Sequence, residues 1–204
     1  MKKEIYAIII LLLVIYSCQL QRKEENKDEE QTVKVQSKLE QLLLCSKDST
    51  FEVIDLSNDS IATFPDLSGY NARHLNLSYN QLDTLVVDSL PQGLISLNLS
   101  HNNFRELFRM KENPRLSNLR DLDISNNNIK KVSIDEPLRQ IIASYNDLIY
   151  INFSHRNIQY LDISYNTDLD SIVDFVPKMI DTLLHKGVAG GSELQCKFSV
   201  YRSH

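Results

Sequence analysis

The sequence predicts an α/β solenoid in which short parallel strands stack into one sheet. Six eleven-residue segments align without gaps and recur every 19 to 25 residues. Apolar residues occupy their fourth and sixth positions, as expected when side chains alternate along a short strand. Recurrence of one unit at this period is typical of solenoids. The segments are 51–61, 72–82, 94–104, 119–129, 138–148 and 158–168.

The segments follow the frame LxxLxLxxNxL, as in ARHLNLSYNQL (72–82) and LISLNLSHNNF (94–104). This frame resembles the leucine-rich repeat family, whose period is about 20–29 residues. The resemblance covers about residues 51–169 and implies a parallel sheet on a concave face with a mostly irregular convex side. It also implies that the ninth-position asparagines form a structural ladder between coils, with Asp59 departing in the first segment. The ladder residues are Asn80, Asn102, Asn127, Asn146 and Asn166.

Between the segments, further apolar residues predict short extended stretches on the far side of each coil. Val132 with Ile134, and Ile151 with Phe153, are two such pairs. The longest unit contains the basic stretch 105–120, which we expect to bulge from the convex face as a solvated loop.

A solenoid exposes its core at both ends and therefore requires caps. Residues 33–50 are the predicted N-terminal cap, because Leu39, Leu42 and Leu43 recur at helical spacing. The repeats are predicted to occupy residues 51–176.

Residues 177–204 are the predicted C-terminal cap. Pro177 is suited to the first turn of a helix and Lys186-Gly187 to its end, and the alternating residues 194–200 predict a strand after it. Cys45 and Cys196 fall in opposite caps, so we expect no disulfide between them and expect each to be a small buried residue.

Residues 1–17 have the pattern of a signal peptide. Two lysines precede a 12-residue apolar run, which is shorter than the roughly 20 residues of a membrane-spanning helix. The sequence Ile-Tyr-Ser-Cys (15–18) resembles the lipobox of bacterial lipoproteins, although Tyr16 is bulky for that motif. The resemblance implies cleavage before Cys18 and lipidation of that residue. An ordinary secretory signal is the alternative.

Residues 18–32 combine the lipidated cysteine with a charged stretch that contains too few apolar residues to fold, so a disordered tether is expected. This stretch also resembles the surface-export signals of some outer-membrane lipoproteins, although a simple charged tether explains it equally well. The predicted location is the cell envelope, lipid-anchored to the outer membrane and exposed at the surface.

Composition and charge argue against several classes of function. The formal net charge is -5, which disfavours nucleic-acid binding, and three cysteines are too few for a disulfide scaffold or a zinc ribbon. Ser100, His101 and Asp123 are triad residue types, but adjacent residues of a strand point in opposite directions. We therefore expect no enzymatic activity, no metal site and no cofactor.

The candidate ligand site is the C-terminal half of the concave face. Tyrosines there are expected to surround Ile142, with carboxylates around them, which suits a basic or mixed partner. The alternative is that the eighth-position tyrosines merely pack along the ladder edge. The candidate ligand-binding residues are Tyr145, Tyr160, Tyr165, Ile142, Asp123, Asp162, Asp121, His101 and Tyr79.

The leading hypothesis is a monomeric, lipid-anchored envelope module whose concave face binds a protein or peptide. One alternative is a structural or adhesion protein that acts by self-association. A hydrolase is a remote third.

Overall fold

The computed structural model describes residues 36–153, 158–169 and 182–188. One α-helix, two three-residue 3-10 helices (Val87–Ser89 and Pro114–Leu116) and ten strands lie within these ranges. None of the described residues belongs to a helix that is both long and apolar enough to cross a bilayer. The elements are α1 (Lys38–Leu43), β1 (Thr50–Asp55), β2 (Asn71–Asn76), β3 (Ser96–Asn98), β4 (Arg105–Met110), β5 (Asp121–Asp123), β6 (Asn128–Ile134), β7 (Gln140–Ile142), β8 (Tyr150–Phe153), β9 (Tyr160–Asp162) and β10 (Thr182–Leu184).

Seven strands form one parallel sheet, here called the long sheet, in the order β1-β2-β3-β5-β7-β9-β10. Each strand covers the third to fifth positions of a segment, and the register places Leu75 beside Leu97 and Leu97 beside Leu122. The predicted solenoid is therefore confirmed. We number the coils 1 to 7 by the long-sheet strand that each contains.

A second parallel sheet, the short sheet, joins β4, β6 and β8 on the opposite side of coils 3 to 5. The convex side is thus more regular there than expected. Because hydrogen-bonded strands lie about 4.8 Å apart, these coils stack at similar spacing on both sides, and this stretch has little curvature.

The prediction of a bulging loop at 105–120 is wrong for much of that stretch. Its first six residues form β4, in which Phe108 and Met110 are buried, and Leu116 is buried farther along. These apolar side chains belong to the same core as the strands. Burial of each stabilises the fold by about 1.5–3 kcal/mol, which holds the segment against the coil.

Behind the long sheet lies one continuous core that includes the fourth- and sixth-position residues. In coils 2 and 3, Leu75, Leu77, Leu97 and Leu99 are all buried. Coil 5 has the small Ala143 at the sixth position, and it too is buried.

The asparagine ladder connects consecutive coils through hydrogen bonds. The Asn102 amide nitrogen donates to the Leu77 carbonyl of coil 2 at 2.9 Å and to the Leu99 carbonyl of its own coil at 3.1 Å. Its oxygen accepts from the Leu82 backbone N–H at 2.9 Å. Each ladder amide thus satisfies backbone groups that the turn leaves without strand partners. The same pattern recurs at Asn80, Asn127, Asn146 and Asn166.

At the N-terminal end, α1 caps the solenoid as predicted, and Ser37 forms a capping box with Glu40. The departure at Asp59 has a physical reason, because its carboxylate accepts from the Lys38 and Leu39 backbone N–H groups at 2.8 Å each. The first-turn N–H groups of a helix lack intrahelical partners, and a carboxylate can serve two of them.

Two details of the predicted N-terminal cap differ in the structure. Leu42 is buried and Leu39 partly buried, but Leu43 is 53% exposed. Cys45 is exposed and its thiol is not part of a disulfide, so the prediction that it is buried is wrong. A six-residue helix turns only one narrow face to the core, and these two residues lie outside it. Cys196 lies outside the described residues.

The predicted C-terminal helix is wrong at residues 182–184, which form strand β10 beside β9. Leu183 pairs with Leu161 and takes the fourth position of a seventh coil. Gly187 falls at the eighth position, and the Tyr165 N–H donates to the Lys186 carbonyl, the bond that the seventh-position serines accept in earlier coils. Pro177 and the predicted strand at 194–200 lie outside the described residues.

Candidate functional site

The eighth position of every coil has a positive φ. The values run from 53° at Asn58 to 59° at Tyr165, and Gly187 of coil 7 has 72°. Glycine and asparagine suit this left-handed region, whereas it is unfavourable for a bulky residue. Four coils nevertheless carry rings there, just beyond the carboxyl ends of the strands. We call them the aromatic row: Tyr79, His101, Tyr145 and Tyr165.

The aromatic row forms two stacked pairs. Tyr79 and His101 lie 4.0 Å apart between ring centroids with their planes 10° from parallel, and Tyr145 and Tyr165 lie 4.3 Å apart at 16°. The tyrosines stay exposed, by 58% at Tyr79, 51% at Tyr145 and 37% at Tyr165. The rings therefore pack on each other and still offer surface to a partner.

Lys186 closes the row at coil 7, with its Nζ 5.7 Å from the centroid of the Tyr165 ring. Hydrogen bonds from Lys186 and then from Tyr145 lower the pKa of the Tyr165 hydroxyl. Donating to Tyr165 raises the pKa of the Tyr145 hydroxyl. The same contact with Tyr165 raises the pKa of Lys186. The three groups are thus neighbours along the surface, and each influences the ionisation of the next.

The Lys186→Met variant should raise the pKa of Tyr165, because the ammonium that stabilises its phenolate is lost. We expect the lower-pH tyrosine transition in an ultraviolet titration to move to higher pH. Lys130→Met is the control, since Lys130 pairs with Glu106 on the short sheet. An unchanged Tyr165 titration in Lys186→Met would contradict the contact.

The fifth-position side chains form a row along the outer face of the long sheet, the face made by third- and fifth-position side chains. Most of them accept a hydrogen bond from the backbone N–H of the serine two residues later. Asp123 accepts from the Ser125 N–H at 2.9 Å and from its hydroxyl at 2.7 Å. These turns give the Asp and Asn side chains of the fifth position a structural role. The same bond occurs at Asp55, Asn76, Asn98 and Asp162.

Two residues of the fifth-position row break this rule. Ile142 of coil 5 cannot accept, and no described residue accepts from the Ser144 backbone N–H. Leu184 of coil 7 is 42% exposed. Between them stands Asp162, so aliphatic groups flank a carboxylate on this part of the sheet.

The structure separates Tyr160 from the stacked tyrosines. It occupies the third position, at the opposite end of its strand, in register with Gln140 and Thr182. Burial and then the Asp162 carboxylate raise the pKa of its hydroxyl. Asp121 lies in the same third-position row, also half-buried. The tyrosine cluster anticipated from the sequence is thus a stacked pair at the strand ends with Tyr160 apart.

The residues of the remote hydrolase hypothesis are engaged elsewhere. Ser100 is buried, His101 stacks on Tyr79, and Asp123 bonds Ser125. Among the described residues there is no group of three or more His, Cys, Asp or Glu side chains placed to bind a metal ion.

Sequence reasoning missed Leu184 and Lys186 as site residues, because residues 177–187 were assigned to a helix. The sequence contained a signal: Leu183 fits the fourth position, and Gly187 the left-handed eighth position, of a degenerate segment. The absence of the ladder asparagine, replaced by Val188, concealed it.

The geometry of the coils and the comparison with known families both indicate leucine-rich repeats. Leucine-rich repeats are present in this chain: the family model described as Leucine Rich Repeat matches residues 71–92 and 118–141. The chain is also 35% identical over 100 residues to the oligodendrocyte-myelin glycoprotein of Homo sapiens and to that of Mus musculus. These matches cover 46% of this chain and 22% of each relative, so the chain spans about a fifth of the length of the curated relatives it matches.

Proposed function

We propose that this chain is a lipid-anchored protein-binding module of the cell envelope, placed at the outer membrane by Cys18. Its ligand is an extended segment of a protein, bound across the C-terminal half of the outer face of the long sheet. The presence of leucine-rich repeats supports the binding-module class.

The observation that carries the proposal is the replacement of turn-forming acceptors by aliphatic side chains at Ile142 and Leu184. Ile142 leaves the Ser144 backbone N–H without an acceptor among the described residues and forgoes the turn that five other coils form, a local cost in stability. Such a local cost favours a role in binding. Interfaces combine apolar and aromatic centres with a polar rim, and Tyr160, Asp123 and Asp162 lie around these two residues.

Charge and spacing define the class of ligand. Asp123, Ile142, Asp162 and Leu184 follow one another on coils 4 to 7, which span about 14 Å at 4.8 Å per coil. An extended chain covers that distance in about four to five residues. In an extended segment only every second side chain faces the sheet, so these carboxylate and aliphatic groups complement basic and apolar side chains that follow one another at every second residue.

The test is an array of octapeptides in which basic and aliphatic residues alternate at every second position, with serine between them, probed with the full chain, with acidic counterparts beside them. We expect the basic series to bind more strongly and Ile142→Asn to weaken its binding at least about fivefold, since Ile142 lies in the proposed apolar centre. Val53→Asn removes an aliphatic side chain of coil 1, which is more exposed than Ile142 and lies outside the proposed site, and is the control.

Urea unfolding distinguishes a loss of binding from a loss of folding in this test. Asparagine at position 142 regains the acceptor for the Ser144 N–H, so Ile142→Asn should unfold at the same or a higher urea concentration. Equal binding of acidic and basic peptides, or undiminished binding by Ile142→Asn, would overturn the proposed ligand face.

The anchor has its own experiment. Cys18→Ser should move the chain from the membrane fraction to the soluble fraction, because stable anchoring depends on the acyl chains attached there. Cys45→Ser changes an exposed cysteine of the cap and should leave the distribution unchanged. Membrane association that survives Cys18→Ser would remove the lipoprotein proposal.

A further inference from the structure

The aromatic row is interrupted once. His101 ends the first stacked pair on coil 3, and Tyr145 begins the second on coil 5. Coil 4 between them carries Asn126, in the same left-handed conformation with φ of 53°. An asparagine side chain is shorter than either ring. The row therefore has a gap between the rings of His101 and Tyr145, beyond the end of the Asn126 side chain.

The dimensions of this gap fit one planar group. Neighbouring strands lie about 4.8 Å apart, so the rings on coils 3 and 5 are separated by about 9.6 Å. A flat group placed midway lies about 4.8 Å from each ring, close to the 4.0 Å and 4.3 Å of the existing stacks. The Asn126 amide donates to the Ser125 hydroxyl at 3.3 Å, which keeps it near its own coil.

The charge around the gap favours a cation. Asp123 is on the same coil as Asn126 and is half-buried. A guanidinium is planar, stacks on aromatic rings and pairs with carboxylates, whereas a lysine ammonium offers no flat face. A neutral aromatic ring would stack equally well but would gain no attraction from the carboxylate.

We propose that this gap, the Asn126 slot, binds an arginine side chain of the protein partner, stacked between His101 and Tyr145. The inference rests on the proposed function, because it assumes a peptide ligand that reaches the strand ends. The slot requires an arginine in the ligand, and the face of the sheet alone does not impose this requirement.

The slot is tested with acetyl-Gly-Gly-Arg-Gly-Gly-amide and its lysine counterpart, added to the full chain with labelled histidine and tyrosine rings. We expect the arginine peptide to shift the ring signals of His101 and Tyr145 in NMR spectra. The lysine peptide should bind at least about fivefold more weakly than the arginine peptide, since it gains no stacking.

Three variants isolate the slot. Asn126→Tyr fills it with the residue that three other coils carry at this position, and should abolish the arginine-induced shifts. Asn126→Gly keeps the slot open with a residue suited to positive φ, and should bind within about twofold of the unchanged chain. Asn58→Tyr makes the same substitution at the same φ on coil 1, outside the slot, and should change nothing.

Each result decides the proposal. Equal binding of the arginine and lysine peptides, or shifts that persist in Asn126→Tyr, would overturn the slot. If Asn126→Tyr melts early, Tyr145→Leu replaces it, and a retained arginine preference in that variant would equally overturn the slot. The octapeptide array with Ile142→Asn reports on the sheet face separately, so failure of the slot and failure of the proposed function are distinguishable.

Discussion

Asn102→Ala is expected to lower the free energy of unfolding by about 3 kcal/mol, the largest stability effect that we predict for a polar residue. The buried amide donates to carbonyls of coils 2 and 3 and accepts from the Leu82 N–H. Alanine leaves the Leu82 N–H without an acceptor where water does not reach it, and it removes one of the two amide donors to each carbonyl, which keep Asn80 and Asn127. Each unsatisfied buried group costs about 1–3 kcal/mol, partly relieved by local rearrangement.

The adjacent residue provides the control for this prediction. Asn103 is exposed and makes one long bond, 3.4 Å to the Gln81 carbonyl. Asn103→Ala should change stability by no more than about 0.5 kcal/mol. Urea unfolding of both variants measures the difference, and similar midpoints for the two would contradict the structural role of the ladder.

Replacing Tyr145 and Tyr165 together by alanine should weaken binding of the best basic octapeptide at least about tenfold. The two rings form an exposed stack, and Tyr145 is also one wall of the Asn126 slot. Alanine relieves none of the left-handed backbone strain but removes most of the aromatic surface at this end of the row. Titration with fluorescently labelled octapeptide measures the loss.

Folding is the control for the double variant, because the rings lie outside the hydrophobic core. Its melting temperature should stay within about 5 °C of that of the unchanged chain. Tyr79→Ala removes a ring that is more exposed than either of these, at the other end of the row, and we expect a smaller loss of binding. Unfolding of the double variant would show instead that the stacked tyrosines support the coil edge.

Much of the solenoid was predictable because its signals are local. Leu97 and Leu99 flank one polar residue in the strand, and alternation alone places both on one side. A capping helix was equally visible from the spacing of Leu39 and Leu42. Leu43 was expected on the buried face of this helix but is exposed. Helical spacing alone does not state how wide the buried face is.

The candidate site was only partly predictable. The sequence indicated that the eighth-position rings share one edge, and the structure brings Tyr145 and Tyr165 into contact there. It did not indicate that Tyr160 stands apart, or that Asp123 and Asp162 are acceptors of structural turns. Those facts depend on backbone direction at the end of each strand, which residue types alone do not specify.

By itself, the sequence determined the repeat, its strand positions and the residues of the ladder, because each follows from a periodic pattern in one chain segment. The tertiary structure alone decided the features that arise between coils: the short sheet, the seventh coil at β10 and the gap at Asn126. A coil with a degenerate sequence is still held in register by hydrogen bonds to its neighbour, as Leu183 is beside Leu161. The gap likewise exists only because stacking places His101 and Tyr145 two coils apart.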